Sequence, residues 1–250
     1  MVDKAPTESL MRPYIVSLLS LILLVSGLSL TGRAGPASSA CGDSGIRIRD
    51  ASPAEAVLAC AGIADARAFF AAHGLAADID IDITVQPRVD AGDTVDLAFP
   101  VLGQYRPEAN RVFMTALEAQ RDMSEDTPVF GVPFEPMQFR EVVAHEVAHA
   151  LAKQNFIRDE PSRLVHEYIA YIVQMATMAP DRRARILAAY SATPFRSAEE
   201  INPIVYAIAP DMFAVKAYLY FAAQPDGAAY LRRLLADDLP AANLTFDLFG

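Results

Sequence analysis

The amino-acid sequence predicts an α+β domain in which a small, mainly antiparallel N-terminal sheet precedes a helical C-terminal half. Three observations predict it. Residues 78–85 alternate strictly, with Ile79, Ile81, Ile83 and Val85 on one side and Asp80, Asp82 and Thr84 on the other, which is the period of a half-buried strand. Residues 135–154 carry apolar side chains at helical spacing, and after Pro161 the chain reads as helices punctuated by Pro180, Pro194, Pro203, Pro210 and Pro225. Hydrophobic residues make up 53% and charged ones 21%, so there is ample apolar material for a packed core.

Taken in order, the first 40 residues of the 250 read as a signal peptide and leader junction. Residues 14–30 form an apolar run broken by Ser17, Ser20, Ser26, Gly27 and Ser29 and preceded by Arg12; Met11 would serve equally well as the start. The run is shorter than the ~20 residues a membrane span needs, so no stable span is expected after cleavage. Ala37-Ser38-Ser39-Ala40 supplies the small residues that signal peptidase requires, with cleavage after Ala40. A second outcome is a lipid anchor at Cys41, because Ser39-Ala40-Cys41 matches the end of a lipobox, although Ser38 replaces the expected aliphatic residue. Export, to the periplasm or out of the cell, is the implied location. There the two cysteines, Cys41 and Cys60, would be oxidised to a disulfide that closes a short loop onto the first helix.

Residues 41–250 read as one domain. Ser52-Pro53-Ala54-Glu55 is a capping box with proline at the first helical position; the helix runs to Ala72, and Gly74 stops it. The acidic side of residues 78–85 reads as a solvated face, because calcium would require a glycine-turned loop rather than an extended strand. Further strands are expected over 95–102, at 104–105 and over 112–115, the last two joined by a turn through 106–110. Residues 123–133 have turn chemistry, with Ser124, Pro128, Gly131 and Pro133, and are placed as a cleft wall ahead of the next helix. A net charge of −10 without a Lys/Arg cluster argues against a nucleic-acid partner, whose phosphates demand cationic neutralisation.

The chemistry concentrates in His145-Glu146-Val147-Ala148-His149. Histidines four apart project from one helix face a turn apart, the spacing that brings two imidazole nitrogens to one zinc. Glu146 lies about 100° round the helix from His145, within reach of a metal-bound water as general base. Phe139, Val142, Val143, Val147 and Leu151 supply the apolar stripe of a buried helix, and a buried helix gains nothing from two histidines and a glutamate without a partner. A catalytic zinc takes three protein ligands and keeps one position open. The position where a metzincin would carry its third ligand is Asn155, with Ala152 in place of glycine, which excludes that class. Asp159, Glu160, His166 and Glu167 are the candidates, and Glu167 is preferred because 18 residues allow the chain to finish one helix, turn and return on another, where Ala170 permits close packing.

His-Glu-x-x-His followed by Glu167-Tyr168-Ile169-Ala170 resembles the gluzincin group of zinc metallopeptidases. The resemblance implies a zincin-like fold with the metal site on its central helix, one Zn2+ per chain held by His145, His149 and Glu167, and Glu146 as the base that activates water against a peptide or protein substrate. In that group a Tyr or His polarises the scissile carbonyl; Tyr171, four residues after Glu167, is assigned that catalytic role, with His166 as the other candidate. The likeness covers residues 139–171. Beyond them the chain resembles uncharacterised exported bacterial proteins that carry such a motif, and residues 103–114 lack the signature that binds a substrate's free amine. The alternative from another class is a non-catalytic exported zinc-binding protein that docks a partner, against which the retention of Glu146 weighs, since metal binding does not need it.

Overall fold

The structure, a computed structural model, describes residues 41–42, 45–91, 100–158, 161–191, 193–197 and 200–236. All belong to one compact unit, Gly35–Gly250. The leader reading of residues 1–40 lies outside the described residues. What is described is α+β, with a small sheet towards the N-terminus and a mostly helical C-terminal half.

Strand β1 (Ile46–Arg49) leads into helix α1 (Pro53–Ala72). The expected capping box forms: the Glu55 amide donates to Ser52 Oγ at 3.3 Å, and the Ser52 amide donates to Glu55 Oε2 at 2.8 Å. Strand β2 (Ile81–Gln86) follows, then the short strands β3 (Val89–Asp90) and β4 (Pro100–Val101), which pair with each other. A hairpin of β5 (Gly103–Arg106) and β6 (Arg111–Thr115) completes the strands, and the main sheet has the order β1-β2-β6-β5. Of the strand expected over 95–102, residues 95–99 lie outside the described residues.

The expectation of a mainly antiparallel sheet is corrected. β1–β2 and β2–β6 are parallel, and only β5–β6 is antiparallel, so the sheet is mixed. The reason lies in β1, a four-residue strand too short to be recognised by periodicity. The full length of α1 separates it from β2, and a connection that long carries the chain back to the same end of the sheet, so both strands run one way. The acidic row is also only partly solvated. Asp80 is exposed, but Asp82 retains 14% of its side-chain surface because Arg47 bonds to it while Arg49 and Arg111 lie 3.6 Å from it across the neighbouring strands.

The other sheet face, Ile46, Ile48, Ile81, Ile83, Val85, Val112 and Met114, is buried. Helix α2 (Leu117–Asp126) and a 3₁₀ turn (Val129–Gly131) occupy part of the segment expected to be turn throughout. Helicity was hidden there because the inward residues of α2, Gln120 and Ser124, are polar; Gln120 donates to the Leu102 and Thr115 carbonyls, and Ser124 Oγ accepts from Gln138.

Helix α3 (Met137–Asn155) is the centre of the molecule and buries residues on every side. Against α1 the approach is set by Gly62, where a Cβ would fall 2.4 Å from the Arg140 carbonyl oxygen, so any side chain would force the helices apart. Arg140 also grips Asp65 of α1 through two bonds of 2.5 and 2.7 Å. Helix α4 (Arg163–Thr177) packs on α3 with Ala170 fully buried, as the small side chain there predicts. Helices α5 (Pro180–Tyr190), α6 (Pro203–Ile208) and α7 (Pro210–Ala222) each begin at a proline, whose missing N–H costs nothing in the first turn. Helix α8 (Gly227–Leu235) closes the described chain, and Cys41 and Cys60 are joined in a disulfide.

Candidate metal centre

His145 and His149 face α4 from one side of α3, and Glu167 of α4 faces them. One ligand atom from each of the three lies within 4.8 Å of the others. His145 Nε2 is 3.2 Å from His149 Nε2 and 3.6 Å from Glu167 Oε2; His149 Nε2 is 3.9 Å from the same oxygen. A tetrahedral zinc with bonds of about 2.0–2.1 Å spaces its ligand atoms at about 3.3 Å, so these separations fit one ion. His145 Nδ1 lies 3.1 Å from Gln174 Oε1, an acceptor, which assigns the Nδ1 proton and leaves the Nε2 lone pair towards the cluster.

Burial and mutual charge set the electrostatics of the cluster. Burial acts to raise the Glu167 carboxyl, but hydrogen bonding to His145 and the charge of both histidines hold it down at about 2. Burial lowers His149 to about 3, keeping it neutral. His145 is raised despite its burial, because Glu167 and Glu146 favour its charged form. A carboxylate that stays ionised beside two convergent imidazoles is the donor set a divalent zinc takes.

Glu146 stands apart from the three ligands. It is 6% exposed, and its Oε2 accepts the Tyr105 amide of β5 at 2.7 Å. Gly103 makes room for it, since a Cβ at that position would meet Glu146 Cγ at 2.8 Å. Burial raises the Glu146 carboxyl to about 7, with the negative charge of Glu167 adding to the effect while His145 and the Tyr105 amide oppose it. The site therefore combines a low-pKa carboxylate that can bind metal with a second carboxylate poised to accept and release a proton near neutrality.

Residues 46–242 match the DUF6639 family, described as a family of unknown function. The chain belongs to that family. No curated protein and no solved structure matches it. The stretch matched to DUF6639 contains the whole constellation.

Of the predicted site residues, the fold of this DUF6639 chain brings together His145, Glu146, His149, Glu167 and Tyr171. The Tyr171 ring packs edge-on to His145 with centroids 4.7 Å apart, and burial, then the Glu167 charge, holds its hydroxyl well above the usual tyrosine range. His166 does not join the ligand group. It packs on Phe156 at 4.5 Å and lies 5.9 Å from the His149 ring. Asp159 and Glu160 lie outside the described residues. Residues 123–133, placed as a cleft wall, line a separate surface depression through Ser124, Pro128, Gly131 and Pro133.

Sequence reasoning missed Gln174, Tyr105, Gly103 and Tyr206. Gln174 had a local signal, for it stands seven residues after Glu167 and so on the same face of α4. Tyr206 of α6 had none: its ring lies 6.4 Å from Tyr171 across a long stretch of chain, and burial, then the Glu167 charge, holds its hydroxyl above the usual tyrosine range.

Proposed function

We propose that the chain is a zinc-dependent hydrolase of peptide bonds, with a gluzincin-like division of roles on a zincin-like arrangement of sheet edge, metal helix and third-ligand helix. One observation carries the reading: His145, His149 and Glu167 converge within 4.8 Å, while a separate buried carboxylate, Glu146, is held beside them by a backbone amide.

His145, His149 and Glu167 would hold the zinc, which when bound would supply Lewis acidity that lowers the pKa of a water towards ~7 and polarises a carbonyl. Glu146 takes the proton of the attacking water and returns it to the leaving amine. The Tyr105 amide fixes one oxygen of that carboxylate, so the group is aimed before substrate arrives. Gln174 orients His145. Tyr171, packed on His145, is the residue assigned to hydrogen-bond the carbonyl oxygen of the substrate.

Among the described residues β5 is an edge of the main sheet, and an extended peptide can pair with such an edge through its backbone while its scissile bond lies over α3. The Cys41–Cys60 disulfide supports an exported, periplasmic or secreted location, because such a bond persists in oxidising compartments.

The test is Glu146→Gln in zinc-loaded protein. The hydrolase reading predicts retained zinc and lost peptide cleavage. If wild type and variant bind zinc equally and neither cleaves any member of a diverse peptide library, the non-catalytic zinc-binding reading replaces it.

A further inference from the structure

The β5–β6 hairpin reaches the metal centre through one residue. Tyr105 of β5 stands opposite Val112 of β6, and its amide points to the free side of the strand, where it donates to Glu146 Oε2 at 2.7 Å. Its half-buried ring lies beside His149, with centroids 6.5 Å apart and planes 8° from parallel. One residue thus flanks a proposed zinc ligand with its ring and holds the proposed base with its backbone.

Among the described residues β5 is an edge strand, so its ladder bonds hold it from one side only. Two contacts at the turn steady it from elsewhere. Asn110, the last residue of the turn, has a left-handed backbone with φ of 46°, which asparagine tolerates better than most residues. Its side-chain amide is bonded at both ends: Oδ1 accepts the Tyr105 hydroxyl at 2.9 Å, and Nδ2 donates to the Asp80 carbonyl, just before β2, at 2.6 Å. Lys153 of α3 donates to the Pro107 carbonyl at 2.6 Å, which ties the same turn to the helix that carries the two histidines. Hydrogen bonds therefore run from Asp80 through Asn110 to the Tyr105 hydroxyl, and from the Tyr105 amide to Glu146.

We propose that Asn110 is a positioning residue for the reaction: by clamping the Tyr105 hydroxyl it fixes the strand whose amide aims the Glu146 carboxylate. This rests on the hydrolase reading above. Asn110 acts only through Tyr105, and Glu146 moves its proton in the chemical step, so the clamp bears on kcat rather than on KM or zinc affinity.

The experiment compares wild type, Asn110→Gly, Tyr105→Phe and the double variant, each as the full chain. Glycine keeps the left-handed turn and removes only the side-chain bonds, while phenylalanine keeps the ring and removes only the hydroxyl. Hydrogen exchange of the Tyr105 amide is followed by NMR in metal-free protein. Steady-state kinetics use zinc-loaded protein and a peptide that wild type cleaves, beside zinc content and the denaturation midpoint.

The Tyr105 amide is expected to be protected in wild type, with protection falling about tenfold in each single variant, the worth of one hydrogen bond. The value of kcat falls by a similar factor, with KM and zinc content unchanged. Both substitutions break the same bond, so the double variant loses little more than either single one. Variants that lose stability but keep wild-type kcat and amide protection overturn the positioning role and leave the hydrolase reading standing. A fall in kcat for Tyr105→Phe alone also overturns it, since the hydroxyl then serves the substrate directly. A zinc-loaded wild type that cleaves no peptide, while amide protection still falls in the variants, sinks the hydrolase reading and with it the catalytic purpose of the clamp.

Discussion

Helix α3 buries charge at two places, and the two are built in opposite ways. Towards its N-terminus Glu141 is 4% exposed and meets Arg182, whose side chain is 2% exposed, at 3.0 Å; Arg182 also donates to the Pro133 carbonyl and to Gln138. Acid and base there come from the same chain and largely neutralise each other. One to two turns further on, His145, Glu146 and His149 face Glu167 with no Lys or Arg among the three ligands. The first arrangement joins α3 to α5 through that ion pair. The second brings two imidazole nitrogens and an ionised carboxylate to one point, the donor set that a divalent cation would take. Burial alone therefore does not mark a site; the convergence of buried donor atoms on one point does.

The contrast is broken most severely at Glu146. Replacing it with Gln should lower turnover by about 10²–10⁴-fold while zinc stays at one per chain, as steady-state kinetics beside metal analysis will show. At the other pair, Arg182→Ala should cost about 3–5 kcal/mol in chemical denaturation with the metal ligands untouched, because Glu141 is left buried without its partner. Its pH dependence follows. Burial already raises the Glu141 carboxyl, and loss of Arg182, which lowers it, raises it further above the unfolded value. The folded state then favours the proton, so the penalty is largest above the raised pKa and shrinks as pH falls through it towards the unfolded one. Denaturation of wild type and variant at descending pH should show the two converging.

Reduction of Cys41–Cys60 should cost about 3 kcal/mol, as expected for a loop of this length, measured as a drop in the denaturation midpoint with dithiothreitol. Gln174→Ala should weaken zinc by about 10–100-fold in competition with a chelator, without a comparable loss of stability. If Gln174→Ala instead unfolds the chain and Arg182→Ala instead loses zinc, the division between architecture and site is wrong.

How much of this could be read beforehand depends on the range of the interaction. The capping box at Ser52 and the proline starts of α5, α6 and α7 are local chemistry, and they appear where the sequence places them. Helix α3 and the facing α4 were legible because i, i+4 spacing is itself geometry: His145 and His149 had to share a face, and Glu167 with Ala170 had the form of a close-packed partner. The direction of β1 was not legible, because four residues carry no reliable period and strand direction is settled by pairing across α1. Helix α2 was hidden by polar inward residues, whose hydrogen bonds replace apolar burial. Tyr206 and the Tyr105 amide reach the site from other elements, so neither has a spacing relative to the motif that reasoning could use.

The most direct test of the central claim is the zinc content of the purified chain after exposure to zinc and removal of excess, for wild type beside His149→Ala and Glu167→Ala, with circular dichroism confirming that all three are folded. The account predicts one zinc per wild-type chain and its loss from both variants. A folded wild type that takes up no zinc, or variants that hold it as firmly as wild type, would contradict it.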